Sequence, residues 1–223
     1  MFGILLFVAI AFAILNWLAE DRKWKILVYI TKPATMLALI AWMAFEVGLS
    51  GPLFFFTLGL CFSLAGDIFL MLPRDLFIGG LVAFLFGHVC YIIGFNFKAP
   101  PITAITVVMV VVVAVVALLI IRPLRAGLLA KGQKALLLPV QIYAGVISVM
   151  LLSALVTLAR PDWDNKVAAV LVCFGAASFF LSDTLIAWNR FVTPISNDRL
   201  KVMVTYHLGQ ILIALGAAIQ FMK

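Results

Sequence analysis

Residues 102–121 read ITAITVVMVVVVAVVALLII, twenty positions without a charge and with Thr103 and Thr106 as the only polar side chains. At 1.5 Å of rise per residue, a helix of this length covers about 30 Å, the thickness of a bilayer's hydrocarbon core. A transmembrane strand would alternate in polarity over about ten residues, and this run does not alternate. Backbone amides in lipid must find their partners within the segment, so the stretch predicts a transmembrane helix. Seven further apolar runs flank it, at 2–18, 24–44, 52–72, 77–97, 136–158, 167–189 and 200–221. The fold class expected is all-α, a polytopic bundle of about eight transmembrane helices. The longest connector is read as 122–134, and no loop holds a separate domain, so residues 1–223 form one transmembrane helical domain.

Composition agrees. The chain is 66% hydrophobic and 11% charged, with a mean hydropathy of +1.24, whereas soluble domains are about half apolar. No cation precedes the first apolar run, so a cleaved signal is disfavoured and that run is expected to be a retained helix. Cys61, Cys90 and Cys173 lie inside apolar runs and read as small fillers. The net charge of +7 comes from short loops, not from a stripe, so no nucleic-acid partner is expected.

The same loops set orientation. Arg22, Lys23, Lys25, Arg74, Arg122, Arg125, Lys131, Lys134, Arg190, Arg199 and Lys201 fall on one side, against Lys98, Arg160, Lys166 and Lys223 on the other. The positive-inside rule then places both termini outside the cytoplasm, and a bacterial inner membrane is the expected location. Trp17, Trp24, Trp42 and Trp188 sit at expected span ends, as interfacial anchors do. Asp67, in Phe62–Asp67, and Asp183, in Phe179–Asp183, each come late in an odd-numbered span, with His88 and His207 in the spans that follow. That pairing is compatible with two four-helix halves.

Ionisable groups in hydrocarbon need a cavity, a partner or water. Five occur here: Lys32, Asp67, His88, Asp183 and His207. From the helical rise, Lys32 lies about 12 Å from the basic face, Asp67 about 8 Å and Asp183 about 9 Å. Ser63, Gln141, Tyr143, Ser182, His207 and Gln210 fall near the same layer, and His88 and Tyr91 reach nearer the midplane. Six helices thus bring polar groups to one depth, which predicts a buried polar pocket open toward that face. Gly59, Gly66, Gly80, Gly87, Gly94 and Gly175 would let the helices approach closely around it. Simpler roles stay open: Asp67 and Asp183 as ion-pair partners of Lys32 or the histidines, His88 and His207 as hydrogen-bonded core groups, Lys32 as a snorkelling side chain.

The chain contains no HExxH, GxSxG or phosphate-cradling loop. Four potential ligands on four helices have no spacing signature of a metal site, so neither metal nor cofactor is expected. Two carboxylates with histidine or lysine neighbours can instead divide acid and base work. Asp67, Asp183, His88 and His207 are the candidate catalytic groups, and Lys32, Ser63, Tyr91, Gln141, Tyr143, Ser182 and Gln210 the candidate substrate contacts. A solute or lipid transporter could use the same pocket, with Pro33 and Pro139 breaking helices beside it.

Phe62-Ser63-Leu64-Ala65-Gly66-Asp67-Ile68-Phe69-Leu70-Met71-Leu72-Pro73 resembles the third-helix signature of the YhhN-type family, which includes the lysoplasmalogenases. Lys32-Pro33, Phe77–Leu81 running on to Gly87–Ile92, and Gly175–Asp183 resemble that family too. Pro139–Tyr143 and His207-Leu208-Gly209-Gln210 fit less specifically. The resemblance spans nearly the whole chain and implies hydrolysis of the vinyl ether bond of lysoplasmalogens. The implied substrate is a single-chain lysophospholipid drawn from membrane lipid, yielding a fatty aldehyde and glycerophosphocholine or glycerophosphoethanolamine. The chemistry needs an acid for the alkene carbon, a base for water and support for an oxocarbenium ion. The resemblance leaves open which aspartate is which.

Overall fold

The computed structural model describes residues 3–222. Eight long apolar helices run through it in antiparallel succession: α1 (Ile4–Asp21), α2 (Lys25–Ala41), α3 (Pro52–Met71), α4 (Phe77–Phe95), α5 (Ala104–Ala130), α6 (Leu137–Val156), α7 (Lys166–Phe191) and α8 (Asp198–Phe221). A π-helical turn, Trp42–Val47, extends α2, and short 3₁₀ turns, Lys134–Leu136 and Thr157–Ala159, flank α6. All eight are long and apolar enough to cross a bilayer, and the chain is an integral membrane protein. The α1–α2, α3–α4, α5–α6 and α7–α8 connections share one end, here termed the basic end.

Two of the sequence expectations need correction. The stretch 122–134 is mostly helix, because α5 continues to Ala130 despite Pro123. Leu124 and Leu128, one turn apart, bury against Val140 and Phe191, while Arg122 and Arg125 fall off that face. This amphipathic pair holds the helix past the proline. The tryptophans also divide. Trp24 is exposed, but Trp42 is wholly buried in the core. Trp17 turns inward, its indole N–H shared between the Met203 carbonyl and His207 Nδ1, each at 3.2 Å.

The closest packing is within α3–α4 and within α7–α8, and one glycine register serves both. A Cβ on Gly87 would stand 3.2 Å from the Gly59 carbonyl oxygen; a Cβ on Gly209 would stand 3.1 Å from that of Gly175. Asp67 follows Gly59, and Asp183 follows Gly175, by the same eight residues, while Gly94 and Gly216 each lie seven beyond Gly87 and Gly209. The two hairpins are therefore structural counterparts. In this register His88 corresponds to Gln210 and Phe84 to Tyr206, so His88 and His207 are not equivalent. α5 lies outermost, with Val113, Leu124 and Leu128 as its buried residues.

Arg160, 1% exposed, closes the opposite end. It donates to the Phe95 and Lys98 carbonyls at 3.1 and 2.6 Å and forks onto Asp162 at 3.0 and 2.7 Å. The fork ties the end of α4 to the α6–α7 loop.

Candidate active site

The polar side chains anticipated in one layer gather into two clusters, each centred on one aspartate. In the first, Lys32 Nζ lies 3.0 Å from Asp67 Oδ1, and the Tyr206 hydroxyl donates to Oδ2 at 2.7 Å. Lys32 is 8% exposed and Asp67 1%. The lysine is therefore paired with a carboxylate and does not snorkel, as a mostly buried ammonium requires. Pro33 lies inside α2 next to it without ending the helix.

In the second cluster, His88 Nε2 lies 3.1 Å from Asp183 Oδ2 and 2.9 Å from the Tyr143 hydroxyl, and that hydroxyl also donates to Oδ2. Two donors converge on one carboxylate oxygen, leaving Oδ1 with no protein partner among the described residues. His88 Nδ1 is buried and likewise unpartnered. Phe179 lies between the clusters, its ring centroid 4.6 Å from His88 and 5.5 Å from Tyr206. No hydrogen bond joins Asp67 to Asp183 among the described residues.

The remaining candidates scatter around these two centres. Tyr91 donates to Gln210 Oε1, linking α4 to α8. Ser63 is fully buried beside Gly87 with its hydroxyl unpartnered. Ser182 donates to the Val202 carbonyl at 3.1 Å and braces α7 against α8. His207 accepts from Trp17 and bonds neither aspartate, and its Nε2 is buried without a partner. Gln141 is half-buried and makes no side-chain hydrogen bond among the described residues. It lies two residues from Tyr143, about 200° around the helix, so the two cannot face one centre.

Three cavities give access. At the basic end a vestibule of about 500 Å³ is lined by Glu20, Tyr29, Arg190, Asp198 and Arg199, and it reaches Lys32. A narrow crevice of about 50 Å³ leads to Tyr143 and Asp183, and it shares Leu70, Phe77 and Ile186 with the vestibule as a common wall. A second crevice, about 40 Å³, approaches the same pair between α5, α6 and α7, lined by Ala117, Ile120, Ala144, Ile147 and Phe180. Asp183 thus lies where apolar crevices converge, with a charged vestibule behind one wall.

Two participants were missed in the sequence. Tyr206 is not among the candidates named from the sequence, although its place next to His207 at the depth of Asp67 is a usable signal. Trp17 was read as an interfacial anchor, and only the α1–α8 contact reveals its role.

Human lysoplasmalogenase TMEM86B (Homo sapiens) is 27% identical to this chain over 207 residues, covering 90% of the chain and 79% of that relative. Human lysoplasmalogenase TMEM86A is 29% identical over 160 residues, covering 71% of the chain and 63% of that relative. Lysoplasmalogenase TMEM86B from Sus scrofa is 29% identical over 218 residues, covering 92% and 80%. These relatives are mammalian and lend no support to a bacterial inner membrane. No solved structure matches the chain. The YhhN family matches residues 27–217, taking in both aspartates, both histidines and Lys32, and with most of its length so matched the chain belongs to the YhhN family.

Proposed function

We propose that the protein hydrolyses the vinyl ether bond of a lysoplasmalogen-type lysophospholipid, with Asp183 as the proton carrier. The observation that carries this reading is the Asp183 carboxyl group itself. One oxygen takes hydrogen bonds from Tyr143 and His88, and the other has no protein partner where apolar crevices converge. A proton on the free oxygen is delivered to the alkene carbon remote from the ether oxygen, forming a C–H bond and an oxocarbenium ion. The two donors on Oδ2 face the carboxylate left behind and hold its orientation. Water adds to the cation and returns a proton to Asp183. The hemiacetal then breaks its C–O bond, giving a fatty aldehyde and a glycerophospho-alcohol. Atoms balance with water alone as co-reactant.

Asp67 has a different part. Its charge is matched by Lys32 at 3.0 Å, which suits a fixed ion pair flooring the vestibule better than a group that must give up a proton. The lysoplasmalogenase relatives support the substrate class. The test is aldehyde release from lysoplasmalogen by the detergent-purified chain, with the saturated ether lipid as control. Absence of aldehyde under conditions where the protein stays folded would sink the hydrolase reading. A second reading, a lipid or solute carrier, draws on the two corresponding hairpins and would show instead as uptake into proteoliposomes without aldehyde.

A further inference from the structure

Arg190, near the end of α7, belongs to neither aspartate cluster, yet it lines the vestibule and stacks on Phe77 and Phe191, both of which line the Asp183 crevice. One terminal nitrogen holds Asp75 of the α3–α4 loop at 2.7 Å. Its guanidinium carbon stands 4.3 Å over the ring of Phe77 and 5.8 Å over that of Phe191. Its Nε is buried with no partner. The backbone is fixed as well, since the Arg190 carbonyl accepts from Lys131 Nζ at 2.7 Å. Arg190 and Phe77 both line the vestibule, and Phe77 is also part of the wall it shares with the Asp183 crevice.

The charges of the vestibule are unevenly committed: the Glu20 and Arg199 side chains of its lining make no hydrogen bond or ion pair among the described residues, and Arg199 is exposed, whereas Arg190 is seated against the wall toward Asp183. Lys32 is neutralised by Asp67. Asp198 accepts from Asn189 at 2.8 Å. Arg190 has spent one edge on an exposed carboxylate outside the cavity and keeps an unpartnered N–H. Arginine's planar fork suits the oxygens of a phosphate group, which it binds through paired hydrogen bonds. A carboxylate already seated on part of that fork is a competitor for the same donors.

We propose that Arg190 binds the phosphodiester of the lipid headgroup in the vestibule and that Asp75 is its built-in competitor. Phosphate arrival draws the guanidinium off Asp75, and with it the cation that now sits on Phe77 in the wall toward Asp183. The anion is part of a lipid, because the cavity holding Arg190 shares that wall with a crevice lined by Leu70, Phe77, Leu81 and Ile186. The inference deepens the hydrolase reading and rests on its substrate class, so its test reads binding and not turnover.

Two probes are titrated into the detergent-purified full chain. One is a saturated ether lysophosphocholine, which has no vinyl bond to cleave; the other is the alkylglycerol of the same chain, which lacks phosphate. Asp75→Asn is expected to raise affinity for the phosphocholine probe about two- to fivefold, the range of an exposed ion pair removed as competitor. Arg190→Met is expected to lower that affinity about tenfold or more, the scale of a charge-assisted bond to phosphate. Neither change moves the alkylglycerol. If Arg190→Met fails to fold, Arg190→Lys keeps the charge, loses the fork and gives an intermediate loss. A purely structural ion pair would behave oppositely, with Asp75→Asn leaving affinity unchanged or lowering it, and that result overturns the proposal. So would parallel shifts in both probes, or inorganic phosphate binding as tightly as the lipid. Wild-type protein that binds in this pattern but releases no aldehyde defeats the hydrolase reading and leaves Arg190 as a phosphate site. Aldehyde release without probe discrimination does the reverse.

Discussion

Removing the Lys32 ammonium while keeping its length, as in Lys32→Met, should destabilise the fold more than a mid-helix methionine normally would. Lys32 Nζ and Asp67 Oδ1 are 3.0 Å apart. At an effective dielectric of about 20 their attraction is roughly 5–6 kcal/mol, most of it offset by the desolvation of two buried charges. The pair adds little net stability, but each partner is needed by the other. Lys32→Met leaves the Asp67 carboxylate with Tyr206 as its remaining donor, and breaking a buried pair in this way costs about 3–5 kcal/mol. Asp67→Asn should cost less, about 1–3 kcal/mol. The amide can still accept from Tyr206, and the ammonium can turn toward the vestibule that Lys32 lines.

The decisive sample is the double variant. With no charge left to strand, Lys32→Met combined with Asp67→Asn should lie within about 1–2 kcal/mol of wild type, a non-additivity expected only of residues in direct contact. Unfolding of the detergent-solubilised chain in rising SDS, followed by tryptophan fluorescence, measures all four proteins on one scale. If the two single losses add in the double variant, the ion pair does not hold the vestibule floor and the division of labour between the aspartates fails.

Asp183→Asn should lower kcat for aldehyde release by about a hundredfold or more with an unfolding midpoint near wild type, since the amide still accepts from Tyr143; a folded variant with wild-type kcat removes Asp183 from the chemistry. Gly209→Ala puts a Cβ 2.9 Å from the Phe179 backbone nitrogen and should cost about 1–3 kcal/mol by overpacking. Gly145→Ala meets nothing within 4 Å and should stabilise α6 by about 0.5–1 kcal/mol, and the two thermal shifts should differ in sign. At the opposite end, the hydrogen bonds and charge of Arg160 hold the Asp162 carboxyl below its usual range. Its contribution is then present above the unfolded carboxylate value and lost as pH falls through the lowered folded one. The fall in melting temperature from pH 6 to pH 3 should therefore be smaller in Asp162→Asn than in wild type.

Much of this was legible in the sequence because the bilayer constrains it. Hydrocarbon thickness sets helix length, so eight runs gave eight helices with ends displaced by a few residues. The exception, the extension of α5 to Ala130, turned on Leu124 and Leu128 finding Phe191, a contact 60-odd residues away that periodicity cannot supply. The depth rule placed Lys32, Asp67, Tyr143 and Asp183 near one layer with His88 closer to the midplane, and the structure gives each of the five a bonding partner among the others. Depth says nothing about azimuth, however. Gln141 shared the depth and faced elsewhere, and His207 shared it and went to Trp17. Pairing across helices depends on rotation about each axis, which here is fixed by glycines in contact at Gly59–Gly87 and Gly175–Gly209.

The correspondence of the two hairpins also explains why two aspartates in equivalent positions need not do equivalent work. Each takes one partner from the second helix of its own half: Lys32 on α2 for Asp67, Tyr143 on α6 for Asp183. Each takes another from the fourth helix of the opposite half: Tyr206 on α8 for Asp67, His88 on α4 for Asp183. The geometry is shared and the chemistry is not. Where α8 carries Tyr206, α4 carries Phe84, and where α4 carries His88, α8 carries Gln210, whose oxygen is taken by Tyr91. Asp67 is thereby given an amine and a phenol as partners, and Asp183 an imidazole and a phenol. Substituting asparagine at each should leave different signatures: at Asp183 a loss in kcat with stability intact, at Asp67 a loss in stability and a raised KM. Identical signatures at both positions would mean that the partners do not set the roles.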